Sequence, residues 1–268
     1  MKLIDQRILI TGASSGIGKI LTQELARGKG NRILAVARHT ENIPVADNIV
    51  PFAADFSKPE EIDRTFAHLQ ETWGGVDICI ANAGFAYREK LEEPDWHHTE
   101  QIFNLNTLGQ IHTLEHFMRM NRDRRPDSPK YFVSLISAVA MVPLPYYALY
   151  CASKFALDGF WRTFAFEKPD WLRVLRVYPV ATKTAFFTRA SGEQNPPLPF
   201  LQQTPEQVAA AILRGLRRNR SKVYPSRLFT LFYPLLRAFP CFSWLYSFNE
   251  KQKMERHGRN NNLKKSNF

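Results

Sequence analysis

Thr11-Gly12-Ala13-Ser14-Ser15-Gly16-Ile17-Gly18 follows directly on the apolar run Arg7-Ile8-Leu9-Ile10 and opens a helical pattern from Gly16 to Arg27. Glycines spaced G-x-x-x-G-x-G between a strand and a helix let the backbone bend tightly. Its N–H groups can then approach a pyrophosphate, whose charge the helix N-terminus favours. The spacing differs by one residue from G-x-G-x-x-G. A glycine turn alone is weak evidence; its place after the first strand is what points to nucleotide binding.

Working outward, further short apolar runs rich in Ile, Val or Leu predict strands at Arg32 to Ala37, Ile49 to Ala53, Val76 to Ala81, Tyr131 to Ile136 and Leu172 to Tyr178. Runs without polar alternation are buried on both faces. Helices are predicted between and after them at Pro59 to Trp73, Trp96 to Met120, Tyr150 to Glu167 and Pro205 to Arg218. Ser57-Lys58-Pro59-Glu60 and Thr204-Pro205-Glu206 each offer a capping hydroxyl, a first-turn Pro and an acid. The alternation predicts an α/β fold, a Rossmann-type doubly wound parallel sheet flanked by helices. One domain covers residues 1–225, and an apolar and basic extension covers 226–268. Residues 183–204 read as a long Pro-rich loop carrying Phe186, Phe187 and Phe200, a natural lid.

The 268 residues, 44% hydrophobic and 23% charged, exclude disorder and fibre and suffice for a sizeable core. A formal charge of +11 raises nucleic acid or anionic membrane as partners. From Arg217 onward, however, twelve Lys and Arg face only Glu250 and Glu255, so the tail holds +10 and the body is nearly neutral. The body therefore carries no nucleic-acid footprint. Cys79, Cys151 and Cys241 are odd in number and far apart, which predicts neither a disulfide framework nor a zinc site, and a reducing compartment. Met1-Lys2-Leu3-Ile4-Asp5-Gln6-Arg7 has charges where an export signal needs an apolar stretch, so a cytoplasmic protein is expected.

The second strand ends Ala35-Val36-Ala37-Arg38-His39, without the acid that an NAD-preferring site uses to hold the ribose 2′-OH. Arg38 suits a 2′-phosphate, which points to NADP; the plainer reading is a solvated loop charge. Tyr150-Cys151-Ala152-Ser153-Lys154 sets a phenol and an ammonium at i and i+4, on one helix face. A phenol with a pKa of about 10 needs help to exchange protons at neutral pH, and a neighbouring cation can give it. Ser137 closes the strand Val133-Ser134-Leu135-Ile136, at the sheet edge where ligands bind in such folds.

Taken together, these motifs resemble the classical short-chain dehydrogenase/reductase family from about residue 5 to residue 225. Besides the glycine turn they comprise Asp55, Asn82-Ala83-Gly84, Asn106 in Asn104-Leu105-Asn106, Ser137 thirteen positions before Tyr150, Lys154, and Pro179 followed by Thr182 and Thr184. The resemblance implies carbonyl and alcohol interconversion with NADP. Tyr150 would be the general acid and base, Ser137 would polarise the carbonyl oxygen, and Lys154 would bind the nicotinamide ribose and lower the phenol pKa. Asn106 would hold a relay water beside Lys154. Gly12, Ser14, Ser15, Gly16, Ile17, Gly18 and Arg38 would hold the phosphates. Asn82, Ala83 and Gly84 would line the adenosine ribose side, Asp55 would meet the adenine, and Pro179, Thr182 and Thr184 would lie at the nicotinamide end. The family also implies homo-oligomers through its central helices. Val180, Ala140 and Ala81 depart from the pattern, where Gly, Gly and Asn are usual. These departures touch no proton-transfer group; Val180 and Ala140 would slightly reshape the nicotinamide pocket and Ala81 is a tolerated change, and a second reading stays open, a non-catalytic NADP sensor.

His97, His98, His112 and His116 suggest metal at first sight, yet no carboxylate or Cys pattern completes a site, so a polar helix face and no metal are expected. Cys151 points about 100° away from its neighbour Tyr150 on a helix and reads as packing. Arg119-Met120-Asn121-Arg122-Asp123-Arg124-Arg125-Pro126 reads as a solvated turn. Leu228 to Phe248 holds one charge, Arg237, with basic groups on both sides. Pro234, Pro240 and Arg237 argue against a straight span. Two readings stay open, a monotopic element on an anionic cytoplasmic membrane face and a cover for the pocket or a subunit interface. The first suits a lipophilic substrate.

Overall fold

The apolar runs become one parallel sheet in a computed structural model that describes residues 1–92, 95–122, 128–193 and 196–265. In chain order the strands are β1 (Arg7–Thr11), β2 (Arg32–Ala37), β3 (Ile49–Ala53), β4 (Ile78–Ala81), β5 (Lys130–Leu135), β6 (Leu172–Val177), β7 (Ala181–Thr182), β8 (Gln202–Gln203) and β9 (Lys222–Val223). The main sheet runs β3-β2-β1-β4-β5-β6-β9, and β7 pairs with β8 apart from it. Leu9 of β1 lies opposite both Leu34 of β2 and Cys79 of β4. Strand order reverses between β1 and β4. A cleft opens at such a reversal, off the C-terminal ends of the strands.

The helices are α1 (Gly16–Ala26), α2 (Pro59–Thr72), α3 (Trp96–Phe103), α4 (Gly109–Arg122), α5 (Ala148–Phe164), α6 (Phe186–Ser191), α7 (Pro205–Arg217), α8 (Arg227–Ala238) and α9 (Pro240–Lys265). Ile8, Ile10, Ile33 and Ile80 pack on one face of the sheet against Leu21 and Leu25 of α1 and Val208, Ile212 and Leu216 of α7. On the other face Leu9, Leu34, Cys79 and Phe132 meet Phe66 of α2, Phe117 of α4 and Trp161 of α5. Helices cover both faces, so consecutive residues of the central strands, Ile8-Leu9-Ile10 and Ile78-Cys79-Ile80, are apolar. Each such side chain contributes about 1.5–3 kcal/mol on burial. At the opposite edge from the cleft, Asp77 receives Arg7 Nε at 3.0 Å and Lys130 Nζ at 2.6 Å. These two partners outweigh burial and hold its carboxyl down to about 2, clamping the starts of β1, β4 and β5 together.

Several elements differ from the sequence reading. The helix expected over Trp96 to Met120 is broken by a π-helical turn at Asn104–Leu108, where Asn106 turns inward. Thr204 does cap α7, accepting from Gln207 N while the Gln207 side chain accepts from Thr204 N. Ser57 does not cap α2. Its hydroxyl donates to Asp55 Oδ1 at 2.8 Å, and Lys58 precedes the helix without a side-chain cap. The expected loop at 183–204 contains α6 and β8, with Gln194 and Asn195 outside the described residues. Asp123 to Pro126 of the expected solvated turn also lie outside them. Strand β9 was not anticipated, since two residues carry no period. Among the described residues no single helix is long and apolar enough to cross a membrane, and the tail helices bend by 117° against each other.

Candidate active site

Thr11, the last residue of β1, accepts on its hydroxyl from the N–H groups of Asn82 and Ala83, both at 3.0 Å. The Asn82 amide donates back to the carbonyls of Thr11 (2.9 Å) and Gly12 (3.2 Å). Asn82 thus braces the glycine turn from the end of β4. The resemblance assigned it to the ribose side; it does line the cleft, but its amide hydrogens are committed to the turn. At Gly12, with φ +68°, a Cβ would stand 2.7 Å from that amide. At Gly18 it would stand 2.2 Å from the Gly12 carbonyl oxygen. Neither position tolerates a side chain. No acid occupies the first turn of α1, so the positive end of the helix faces the cleft uncompensated.

Tyr150 and Lys154 project from α5 and are both buried. Lys154 Nζ donates to Leu135 O at 3.1 Å and lies 5.9 Å from the centroid of the Tyr150 ring. Ser137 follows β5 with φ 147°, a strained conformation for a side-chain-bearing residue. Its hydroxyl accepts from Val139 N (3.3 Å) and donates to Pro179 O (3.4 Å). The Ser137 hydroxyl stands close enough to the Tyr150 hydroxyl to influence its titration. Burial dominates the electrostatics, raising the Tyr150 phenol while Ser137 pulls it part of the way back. It also lowers the Lys154 ammonium to about 7. Burial is the largest influence on the phenol. Tyr150 keeps its proton at neutral pH, the form a general acid requires.

Asn106 is fully enclosed on the π turn. Its amide nitrogen donates to Phe85 O (2.9 Å) and Ser153 Oγ (3.1 Å), and its oxygen accepts from Phe85 N (3.1 Å). Gly84 separates it from Lys154, since a Cβ there would lie 3.0 Å from Asn106 Oδ1 and 3.6 Å from Lys154 Nζ. The π turn is how one helix presents Asn106 inward and still packs its next turns on α2.

Gly12, Asn82, Gly84, Ser137, Tyr150 and Lys154 open on one cleft of about 1110 Å³, with Ser14, Ser15, Gly16, Ile17, Arg38, Asp55, Ala83, Pro179, Thr182 and Thr184 also on its walls, whereas Gly18 and Asn106 lie off them. Arg38 is exposed at the end of β2. Asp55 Oδ1 accepts from the Ser57 N–H and hydroxyl, which fixes the turn after β3. Thr184 faces Gly16 across the cleft, 3.1 Å from where a Cβ would be. Beyond Tyr150 the wall becomes apolar. Phe186 sits 5.5 Å from the Tyr150 ring, centroid to centroid, and Phe187 meets Tyr147 edge to face at 6.0 Å.

The tail completes that wall. Phe229 and Leu236 of α8 and Tyr246 of α9 line the cleft, and Phe229 packs with Ala138, Val142 and Val180. The Val180 departure thus provides a contact for the tail. On α9, Glu250 accepts from Phe200 N at 2.8 Å, and His257 Nε2 lies 3.0 Å from Glu193, which also pairs with Arg88 at 2.6 Å. The tail therefore covers the cleft. Its three lining residues escaped the sequence reading, although Phe229 and Leu236 stand seven apart, one face of a helix. Tyr147 was missed as well: it is buried in the cleft wall and its hydroxyl has no hydrogen-bond partner among the described residues. Burial pushes that phenol up to about 12.

A family model described as short chain dehydrogenase matches residues 6–195. The chain belongs to the short-chain dehydrogenase family. Oxidoreductase calM of Penicillium decumbens is 26% identical over 72% of this chain and 66% of that protein. Estradiol 17-beta-dehydrogenase 11 of Rattus norvegicus is 27% identical over 87% of this chain and 79% of that protein. Among solved structures, an alcohol dehydrogenase from the archaeon Thermococcus sibiricus complexed with 5-hydroxy-NADP matches with TM-score 0.69 and 25% identity, covering 82% of this chain and 95% of that one. A short chain dehydrogenase/reductase from Burkholderia phymatum in complex with NAD matches with TM-score 0.77 at 16% identity, over 89% and 95% of the two chains, a likeness of fold.

As a short-chain dehydrogenase, the protein is an NAD(P)-dependent oxidoreductase, and its own residues fit a dinucleotide. The cradle at Gly12 and Gly18 leaves backbone where a Cβ would clash, under an uncompensated helix N-terminus. In this dehydrogenase Cys151 is a packing residue, as expected: its thiol is buried against the backbone of Leu144. His98 stacks on Tyr87 with centroids 3.8 Å apart and pairs with Glu89 at 2.7 Å. His112 and His116 are not a bare polar face. Asp63 of α2 reaches both, a carboxylate hidden from local spacing because it lies 49 residues before His112.

Proposed function

We propose that this dehydrogenase interconverts a carbonyl and a secondary alcohol on an apolar, lipid-like substrate, with NADP as the preferred cofactor and Tyr150 as general acid and base. One observation carries the reading: the neighbouring hydroxyls of Ser137 and Tyr150 sit where the glycine-lined half of the cleft meets its apolar half. A carbonyl oxygen bound there receives a hydrogen bond from Ser137 and a proton from Tyr150, both of which grow stronger as charge develops on the oxygen. The nicotinamide supplies or accepts the hydride when bound. Lys154 holds the ribose hydroxyls and, with a water at Asn106, returns the proton to Tyr150. The phenyl and aliphatic groups of Phe186, Phe187, Phe229 and Leu236 exclude water from the reacting oxygen.

Arg38 favours NADP because its guanidinium, exposed on the cleft wall, can pair with a 2′-phosphate. Purified protein is expected to oxidise NADPH with long-chain ketones or sterol-like carbonyls in preference to small polar ones. Loss of one charge-assisted contact in Arg38→Ala weakens NADPH binding about tenfold or more and leaves NADH binding unchanged. Tighter binding of NADH than NADPH by the wild type overturns the cofactor assignment. No turnover across a broad carbonyl panel, with NADPH still bound, favours the sensor reading instead.

The outer side of the tail supports association with the cytoplasmic face of an anionic membrane. While Phe229 and Leu236 turn inward, Leu231 and Trp244 stay 72% and 65% exposed, and Phe232, Leu235 and Phe248 are exposed beside them. The positive groups Arg162, Arg176 and Arg237 are close enough to Lys222 to lower its pKa, after burial itself. Body and tail thus share a basic patch next to the apolar face. Such a face with a basic border enters the interfacial region of a bilayer. In flotation with phosphatidylserine-containing vesicles the full chain is expected to rise with lipid and a chain ending at residue 225 to stay behind. Equal recovery of the two sinks the membrane role and leaves the tail as a pocket cover alone.

A further inference from the structure

We infer that Asp63, His112 and His116 form a binding site for a divalent transition-metal ion of the zinc type, which staples α2 to α4 outside the active cleft. His112 and His116 stand at i and i+4, so they share one face of α4. Opposite them on α2, Asp63 Oδ1 lies 3.0 Å from His112 Nε2 and 2.7 Å from His116 Nε2. Each residue offers one ligand atom, and these atoms all fall within 4.8 Å of one another. A tetrahedral zinc with bonds of about 2.0–2.1 Å sets its ligands roughly 3.3 Å apart, so the ring nitrogens need part from the carboxylate only by a few tenths of an ångström. Two imidazoles and one carboxylate are a ligand set that zinc accepts, with water in the remaining position.

Proton counting supports the assignment independently. His112 stands between two carboxylates, with Nε2 near Asp63 and Nδ1 3.1 Å from Glu115 Oε2. A neutral imidazole carries one N–H and cannot donate to both. A second ring proton satisfies both carboxylates, and so does a cation beside Asp63; in that case Nδ1–H donates to Glu115 and the Nε2 lone pair is free to coordinate. A carboxylate behind the ligating His is the usual arrangement around zinc, where it fixes tautomer and ring direction. His116 stacks on Phe66 at 5.2 Å, which fixes the second ring. The facing side chains other than the two rings are Asp63, Glu115 and Arg119, two carboxylates against one cation.

The test uses the full chain, stripped with chelator and titrated with zinc against a chromophoric competitor, then with cobalt for its visible spectrum. One equivalent is expected to bind, with a tetrahedral cobalt spectrum and a raised unfolding temperature. Asp63→Asn and His112→Ala should each weaken binding at least tenfold, while His97→Ala, an exposed histidine elsewhere, leaves it unchanged. Unaltered NADPH binding shows that the variants remain folded. Absence of a saturable equivalent, or equal affinity in wild type, Asp63→Asn and His112→Ala, overturns the site. Neither result depends on turnover, so the redox reading stands or falls separately.

Discussion

Tyr150→Phe is expected to lower turnover by about 10²–10⁴-fold, the usual worth of a positioned general acid, while NADPH binds as before. The substitution removes one oxygen and keeps the ring. Its contact with Phe186 at 5.5 Å survives, and so does the packing of α5 under the cleft. Ser137 remains placed by Val139 N and Pro179 O, so a carbonyl can still be polarised but not protonated. The loss should therefore appear in kcat with little change in KM. Stopped-flow oxidation of bound NADPH by an apolar ketone measures the step directly, and fluorescence of the bound nicotinamide reports cofactor affinity. Retained turnover in the purified variant would falsify the assignment of Tyr150. A wild type that binds NADPH and turns over nothing is a different outcome, which points to the sensor.

The sheet and the polar half of the cleft were legible because each rests on local pattern. Strands buried on both faces are continuous apolar runs, so Arg32–Ala37 matches its predicted bounds; Ile49–Ala53 matches too, although as the edge strand it buries only Ile49 and half-buries Phe52. The glycine turn announces itself through spacing, and Tyr150 and Lys154 through one helical turn. What stayed hidden depends on distant partners. Asn82 looked like a ribose contact, and only the fold shows its amide bracing Thr11 and Gly12, about seventy residues upstream. Ser57 carried every mark of a cap but prefers Asp55, two residues away. A break at Asn106 inside one helix has no periodic signature, since the extra residue shifts the face by less than a full turn. The tail could be read as membrane element or cover because one amphipathic helix satisfies both. Its inner residues Phe229 and Leu236 become cleft wall only when α8 docks.

What burial does to the lysine and the phenol is a physical lesson of the same kind. Sequence spacing brings Tyr150 and Lys154 together but says nothing about what the interior charges for ionisation. Burial disfavours the phenolate and the ammonium alike, raising the one pKa and lowering the other, so that the two move apart. The buried pair starts with a protonated phenol and a lysine that titrates near neutrality. Carbonyl reduction, which consumes a proton from Tyr150, is the direction this arrangement favours at low pH. Alcohol oxidation needs the proton removed first.

Gly18→Ala is expected to abolish most cofactor affinity and to destabilise the fold by ~1–3 kcal/mol, the cost of forcing atoms into a packed site. The added methyl would stand 2.2 Å from the Gly12 carbonyl oxygen and 2.5 Å from Asn82 Nδ2. Neither neighbour can yield cheaply. The carbonyl is backbone at the tip of the turn, and the amide is held by two hydrogen bonds to that same backbone. Displacing them tilts the N–H groups away from the pyrophosphate position, so NADPH binding should weaken well over tenfold, more than ~1.4 kcal/mol. Gly159→Ala is the matched contrast. It lies in α5 with nothing within 4 Å of the new Cβ, and there alanine should stabilise the helix by up to ~1 kcal/mol with NADPH binding unchanged. Calorimetric unfolding and cofactor titration of both variants separate close approach from general intolerance of substitution. Equal cofactor affinity in the two would show that the turn does not cradle phosphate.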